Sequence, residues 1–270
     1  MQLEFVKYRL MIMGKFDVRK QELINLLAEK DSLSVNEVAA QYNISLPTAR
    51  KMCSSLANTG AALRTHGGIQ RMPAAQPRYS FMRLKHENIA EKIRIGRYAA
   101  STFKNGRTVF FEAGTTVLQC VIAFAERIKN NDLKDMIVFT NSLINLEILY
   151  PVCPVNLIGG LYRDERKDFT GYMSEHALKV LHFDHCVIGA DAVSISGGVM
   201  AMDAETLRFD SELINHSENV LLLAHSGKLG RTSLHSITPL KNISCIVTDA
   251  GAGDDICRQC LESGINIVKV

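Results

Sequence analysis

The stretch SVNEVAAQYNISLPTARKMCSSLANTGAALRTHGG, residues 34–68, dictates its own folding more tightly than any other part of this chain. Ser34 can accept a hydrogen bond from the free backbone N–H three residues on, and Glu37 can reach back to the N–H of Ser34, so a short helix starts here. Val35, Val38, Ala39 and Tyr42 give that helix one apolar face. Asn43 interrupts the pattern, and Ile44 supplies the buried residue of a tight turn. A second helix follows, with Ser45 as its cap, Pro47 in the first turn, where a missing N–H costs nothing, and Gly60 as a left-handed stop.

Two short helices joined by such a turn form a helix-turn-helix unit, whose second helix can lie in the major groove of DNA. Ser45, Thr48, Arg50 and Lys51 are the polar residues nearest the start of that second helix. Arg can take guanine bidentately, Lys a guanine or a phosphate, and Thr suits either. Residues 61–72 read as a small hairpin wing carrying Arg64, His66, Gly67 and Gly68. Glycines there would let the backbone approach a phosphate, and Arg64 would add charge. A helical hairpin can equally be scaffold with a solvated Arg50-Lys51 face, and spacing alone leaves both readings open.

Charge separates along the chain as DNA binding requires. The 270 residues carry a net charge of +3, but residues 1–78 hold 11 Lys/Arg against 6 Asp/Glu, and residues 79–270 hold 20 against 22. The basic excess therefore sits with the candidate DNA-reading segment. The length predicts one small and one larger domain.

Seven cysteines, an odd number scattered through apolar runs (Cys120, Cys153, Cys186, Cys245), predict reduced core thiols and a cytoplasmic location. Cys257 and Cys260 form a CxxC inside a predicted helix, with no second pair or His cluster to complete a metal site, so no metal and no cofactor are expected. No stretch reaches the length of a transmembrane helix, so no membrane partner is expected. The mixed charge of MQLEFVKYRLMIMGKF, without a small-residue cleavage pattern, argues against a signal peptide.

Residues 1–16 carry no assignable pattern. From Val18 to Lys30 a helix is predicted, capped by Asp17 and striped by Leu23, Ile24, Leu27 and Ala28. It would complete a three-helix winged head over residues 17–72. Two prolines and no helical period mark residues 73–85 as a linker.

Beyond it, over 86–270, apolar runs alternate with helical stretches. A helix is marked by Ile89, Ile93, Ala100 and Phe103, and strands are predicted at Val109–Ala113, Met136–Thr140, Val155–Ile158, Cys186–Gly189, Val220–Ala224, Ser244–Thr248 and Ile265–Val270. Short apolar runs spaced by helices imply parallel strands buried on both faces, an open α/β sheet.

Ligands of such sheets bind outside the carboxyl ends of the strands. Small polar residues recur there: Gly114-Thr115-Thr116, Asn141-Ser142, Gly159-Gly160, Gly189-Ala190-Asp191 and Ser226-Gly227-Lys228. A glycine and two threonines opening a helix offer free N–H groups, hydroxyls and the positive end of the helix dipole, an anion site suited to phosphate. Lys228 would add a point charge. Singly these loops are ordinary turn chemistry; together they point to a small, polyhydroxylated, phosphorylated ligand.

With both halves in view, the chain resembles the DeoR family of bacterial sugar-responsive transcription regulators over residues 17–250. The head carries the resemblance in Val35, Glu37, Val38, Ala39, Ile44, Ser45, Thr48, Arg50, Lys51, Leu56, Gly60, Arg64 and His66-Gly67-Gly68. The remainder carries it in Lys92, Ile95-Gly96, Ala99-Ala100, Gly106, Glu112 to Thr116, Thr140-Asn141, Gly159-Gly160, Gly171, Ile188-Gly189, Glu205, Lys228 and Thr248-Asp249.

The resemblance implies a winged helix-turn-helix repressor followed by a sensor domain similar to ribose-5-phosphate isomerase. Its partners would be double-stranded operator DNA and a phosphorylated sugar effector, which Glu205 joins the loops above in binding; it would act as a homodimer or homotetramer. Three departures stand out. The family's Thr-Ile-Arg-Arg-Asp-Leu run reads Thr48-Ala49-Arg50-Lys51-Met52-Cys53, which affects the choice of operator. Glu112 stands where many members have Asp, and the usual Asp-x-x-Lys becomes His225-Ser226-Gly227-Lys228. A group that titrates near neutrality at 225 could alter ligand choice or tie binding to pH; a passive substitution at a loop edge is the alternative.

A rival reading is a sugar-phosphate isomerase with an accessory head, using Asp191, Glu205 and Lys228 as acid–base groups. Against it, the isomerase's Lys-Gly-Gly-Gly-Gly run is reduced to Ser196-Gly197-Gly198. The expectation is a regulator, not an enzyme.

Overall fold

The computed structural model describes residues 32–58, 62–65, 67–71 and 79–270, together with 19, 22, 23, 26, 27 and 30. The chain divides into two compact units, Met1–Arg78 and Tyr79–Val270.

In the first unit the capping box forms as its residues dictate. Ser34 Oγ accepts the Glu37 N–H at 3.2 Å, and Glu37 Oε2 accepts the Ser34 N–H at 2.7 Å, starting helix α1 (Val35–Tyr42). Asn43 ends it in the left-handed conformation, φ 48°, with its N–H turned back to the carbonyls of Ala39 and Ala40. Asn tolerates this geometry better than most L residues.

Helix α2 (Leu46–Asn58) buries Ala49, Met52, Cys53 and Leu56, one stripe at helical spacing. The wing is present as β2 (Ala62–Arg64) antiparallel to β3 (Gly68–Arg71). A third strand, β1 (Ser32–Ser34), pairs with β3 and completes a sheet of order β1-β3-β2. Three residues are too few to display a strand period, so the sequence does not announce it. Residues 19, 22, 23, 26, 27 and 30 are helical, and Leu23 and Leu27 join Leu33, Val38, Met52 and Ile69 in the core. Residues 1–16, Asp17, Val18, Ile24, Ala28, Gly60 and the linker residues 73–78 lie outside the described residues.

The second unit is built on seven parallel strands in the order β15-β14-β12-β9-β4-β5-β6. These are β4 (Thr108–Phe111), β5 (Ile137–Thr140), β6 (Val155–Leu157), β9 (Phe183–Ile188), β12 (Ser217–Leu223), β14 (Cys245–Thr248) and β15 (Ile267–Lys269). Each of the seven predicted strands is one of them, displaced by a few residues at most.

Alternate residues enter two separate cores. Val109, Phe111, Val187, Leu221 and Leu223 pack on one face with α4 (Ile89–Ser101) and α5 (Thr115–Lys129). Phe110, Cys186, Ile188, Val220 and Leu222 pack on the other with α8 (Ala204–Asn215). Burial on both faces is why these strands read as unbroken apolar runs. Helix α6 (Leu143–Leu149) lies between β5 and β6.

Three features escape the alternating pattern. A hairpin, β7 (Leu161–Arg163) with β8 (Asp168–Thr170), and helix α7 (Tyr172–Leu178) follow β6. A small antiparallel sheet joins β10 (Ala192–Ser194), β11 (Gly198–Ala201) and β13 (His235–Thr238). The linker predicted to run to residue 85 also stops short. Ser80 caps a one-turn helix α3 (Phe81–Leu84), Phe81 is 1% exposed, and its N–H donates to the Glu165 carbonyl at 2.8 Å. A buried aromatic and an anchored backbone make residues 79–85 part of the second unit. Cys257 and Cys260 lie buried on the inner side of α9 (Asp254–Glu262).

Candidate functional site

Helix α2 presents Ser45, Thr48, Arg50 and Lys51 to solvent while Ala49 and Met52 face the core. Ser45 Oγ and Thr48 Oγ1 share a hydrogen bond of 2.9 Å. At the wing, the Arg64 guanidinium donates to the carbonyl of Gly68 and, at 3.4 Å, to that of Thr65. Its charge is thus placed at the wing tip by the wing's own backbone.

The two glycines differ. Gly67 is exposed, and a Cβ there would meet nothing within 4 Å. Gly68 is buried, and a Cβ would fall 2.0 Å from the Leu33 carbonyl oxygen. Gly68 therefore serves the close β1–β3 pairing rather than approach to a phosphate, which corrects the role read from sequence. His66 lies outside the described residues.

In the second unit a cavity of about 670 Å³ opens over the carboxyl ends of β4, β9, β12 and β14. β4 and β9 are neighbours from opposite halves of the strand order, so the cavity straddles the point where the sheet's winding reverses, the usual ligand position in such sheets. Of the predicted effector residues, Gly114, Thr115, Thr116, Asp191 and Lys228 line it.

The other five do not line it, and each has a physical reason. Ser142 accepts the Asn145 N–H and caps α6, and the Asn141 amide donates to the Phe169 carbonyl. A Cβ on Gly160 would fall 2.1 Å from Ser174 Oγ, so Gly160 is required by the packing of α7. Gly159 supplies the carbonyl that accepts the Ser174 hydroxyl. Asn141 and Ser142 are thus buried at the end of β5 beside the β7–β8 hairpin, while Gly159 and Gly160 stay exposed next to α7. Glu205 is half-buried and pairs with Arg208 on the outer side of α8.

The cavity carries charges of both signs. Its lining includes the first turn of α5, with Thr115 and Thr116, and the cations Lys92, Arg166, Lys228 and Arg231. Lys92, 3% exposed, donates to the Leu84 carbonyl at 2.7 Å. Burial first, and the Lys228 charge second, bring its pKa down to about 8. The Lys228 ammonium has no ion-pair partner among the described residues, and burial chiefly lowers its pKa as well. His225 Nδ1 accepts the Gly227 N–H at 3.2 Å; burial, then Lys228 and Lys92, lowers its pKa. The ring is accordingly a neutral acceptor at position 225, held in a backbone turn.

The cavity's carboxylates are Glu87, Glu91, Glu112, Asp191, Asp210 and Asp249. Asp191 accepts from Arg166 Nη2 at 3.1 Å and from the Met202 N–H at 2.8 Å. Arg166 also reaches Asp203 at 2.7 Å and lies 3.9 Å over the Tyr79 ring. Arg163 holds Asp168 through two nitrogens and Asp203 at 2.7 Å. Apart from Asp191, none of this network was read from the sequence, although the run RDERKD, with both arginines and Asp168, was its visible trace.

Glu112 accepts the Gly189 N–H at 3.1 Å, tying β4 to β9, and burial pushes its pKa up to about 7. Because this is above the ordinary 4.5, the neutral carboxyl's contribution to stability is full below that value and is lost as pH rises through about 7. Glu112→Gln is therefore expected to flatten the fall in stability over that interval by about 1–3 kcal/mol. Urea denaturation at stepped pH checks this; parallel wild-type and variant curves would rule it out.

Comparisons with known proteins divide the chain in the same way. Residues 19–73 match the family model of the DeoR-like helix-turn-helix domain, and residues 87–250 that of the DeoR C terminal sensor domain. The chain is 28% identical over 262 residues to a lactose phosphotransferase system repressor of Staphylococcus epidermidis, covering 95% of this chain and 100% of that protein. It is 24% identical over 251 residues to the HTH-type transcriptional regulator GlpR of Haloferax volcanii, covering 93% and 96%. Among solved structures, ribose 5-phosphate isomerase from Plasmodium falciparum aligns over 51% of this chain and 52% of its own, with a TM-score of 0.39 and 14% identity.

Proposed function

The chain belongs to the DeoR family of transcription regulators, and from that premise we propose that it represses a carbohydrate-metabolism operon and leaves its operator when a phosphorylated sugar binds. The observation that carries the effector half is the unpaired ammonium of Lys228 in the cavity. Lys228 has no carboxylate partner among the described residues, and it shares the cavity with Lys92 and the Thr115-Thr116 turn. A phosphate would satisfy that charge and the free N–H groups of α5 together. The cavity's carboxylates, Asp191 among them, suit sugar hydroxyls.

The DNA half rests on the exposed face of α2. Thr48, Arg50 and Lys51 are free to reach base edges, and the braced Arg64 and Gly67 suit backbone phosphates. The protein works in the cytoplasm as a homodimer or homotetramer. The effector favours one arrangement of the sensor units over another, and that arrangement spaces two heads wrongly for adjacent half-sites. The effect can be no larger than the ligand's differential affinity for the two arrangements.

Fluorescence anisotropy on the DNA upstream of its own gene, at fixed salt and with a panel of sugar phosphates, tests the reading. One compound should abolish tight binding. Absence of specific DNA binding under every condition would discard it. Within that assay Arg50→Ala should cost about 1–3 kcal/mol and relax base preference. Equal loss on operator and random DNA would instead assign Arg50 to the backbone. No turnover of aldose or ketose phosphates is expected, since Asp191 is engaged by Arg166 and Glu205 lies away from the cavity.

A further inference from the structure

The carboxylates around the cavity are not equally satisfied. Asp168 is held by Arg163, Asp191 by Arg166 and the Met202 N–H, and Asp203 by Arg163 and Arg166. Two guanidinium groups are thereby shared among three carboxylates. Glu112 receives the backbone N–H of Gly189, with that of Gly114 beside it.

Asp210 receives nothing. It projects from α8 with 2% exposure, lines the cavity, and among the described residues makes no hydrogen bond or ion pair. A buried carboxyl without a partner is costly, and one that faces a ligand cavity is open to a partner the ligand brings. Arg163 and Arg166, the nearest cations, are already committed to other carboxylates. Neighbouring Glu112 and Asp168 add negative potential, and with burial they push Asp210 well above the usual carboxylate range. The deficit is of positive charge and of hydrogen-bond donors, and a single group supplies both.

We propose that the effector carries a primary ammonium group as well as a phosphate, an amino-sugar phosphate, and that Asp210 with Glu112 receives the ammonium while the Thr115-Thr116 turn and Lys228 receive the phosphate. This rests on the sugar-phosphate reading of the same cavity and narrows it. An ammonium offers three donors to the two carboxyls and restores their ionised form, whereas a hydroxyl at the same carbon offers one donor and no charge. A cavity lined by both an unpaired cation and an unpaired carboxylate suits a ligand with one charge of each sign.

Isothermal titration of the full chain with matched pairs tests this: glucosamine 6-phosphate against glucose 6-phosphate, and galactosamine 6-phosphate against galactose 6-phosphate. In at least one pair the amine should bind about tenfold tighter or more, as one charge-assisted contact allows. Asp210→Asn, which keeps the side chain's size, should bring that ratio to within about threefold. Circular dichroism and the melting temperature establish that the variant is folded; Glu112→Gln serves in its place if it is not. Equal or weaker binding of the amine in both pairs overturns the ammonium assignment and leaves a sugar-phosphate sensor. An amine preference that survives in the folded variant overturns the role of Asp210. Failure of all four compounds to bind overturns the ammonium assignment; the wider panel of sugar phosphates then decides whether the sensor reading falls with it.

Discussion

Replacing Arg166 by Ala is expected to cost the second unit about 3–5 kcal/mol, because it strips a buried cation from carboxylates that cannot leave with it. Arg166 contacts Asp191 at 3.1 Å and Asp203 at 2.7 Å, and its guanidinium covers the Tyr79 ring at 3.9 Å. Removing it leaves Asp203 with Arg163 as its one cation, beside the Thr206 N–H, and Asp191 on one backbone N–H. It also leaves Glu112, Asp168 and Asp210 in a still more negative cavity. Arg166→Lys should recover only part of the loss, since an ammonium cannot both reach two carboxylates in a fork and stack on an aromatic face. Urea denaturation followed by far-UV circular dichroism reads this directly. A loss below about 1 kcal/mol for Arg166→Ala would mean that the carboxylates are neutralised by protonation and that the network is not a structural brace.

The second large effect is expected in the other unit. Gly68→Val should cost the head about 3 kcal/mol and reduce operator affinity at least 100-fold, with effector binding unchanged. A Cβ at residue 68 falls 2.0 Å from the Leu33 carbonyl oxygen and 2.7 Å from the Ser34 Cα. Both are backbone atoms of β1, so no rotamer change relieves the clash. Displacing β1 also disturbs Ser34, whose side chain and N–H form the capping box of α1. The same substitution at Gly67, where a Cβ meets nothing within 4 Å, should be nearly silent for folding. Anisotropy on operator DNA and titration with the effector, run on both variants, separate the cases. Equal affinity of Gly68→Val and wild type for operator would remove the β1–β3 contact from any role in DNA binding.

What the residues announced was whatever depends on near neighbours along the chain. The capping box of Ser34 and Glu37, the left-handed Asn43 and the apolar stripe of α2 are local, so propensity and periodicity reveal them. The seven core strands were equally visible, because burial on both faces demands continuous apolar runs. The Thr115-Thr116 turn and Lys228 stood out as phosphate chemistry at strand ends, and both line the cavity.

Only the tertiary structure decided which strand ends share that cavity. Asn141-Ser142 and Gly159-Gly160 look the same in sequence as Gly114-Thr115-Thr116. The first pair is buried beside the β7–β8 hairpin and the second is tied to α7, outside the cavity, through contacts distant in the chain. Arg166 and Asp210 were missed for the same reason. Arg166 pairs with partners 25 and 37 residues away in sequence, and Asp210 sits mid-helix, where a carboxylate ordinarily faces water. A charge becomes informative only when its burial and its partners are known, and both are properties of the folded chain rather than of any window of it.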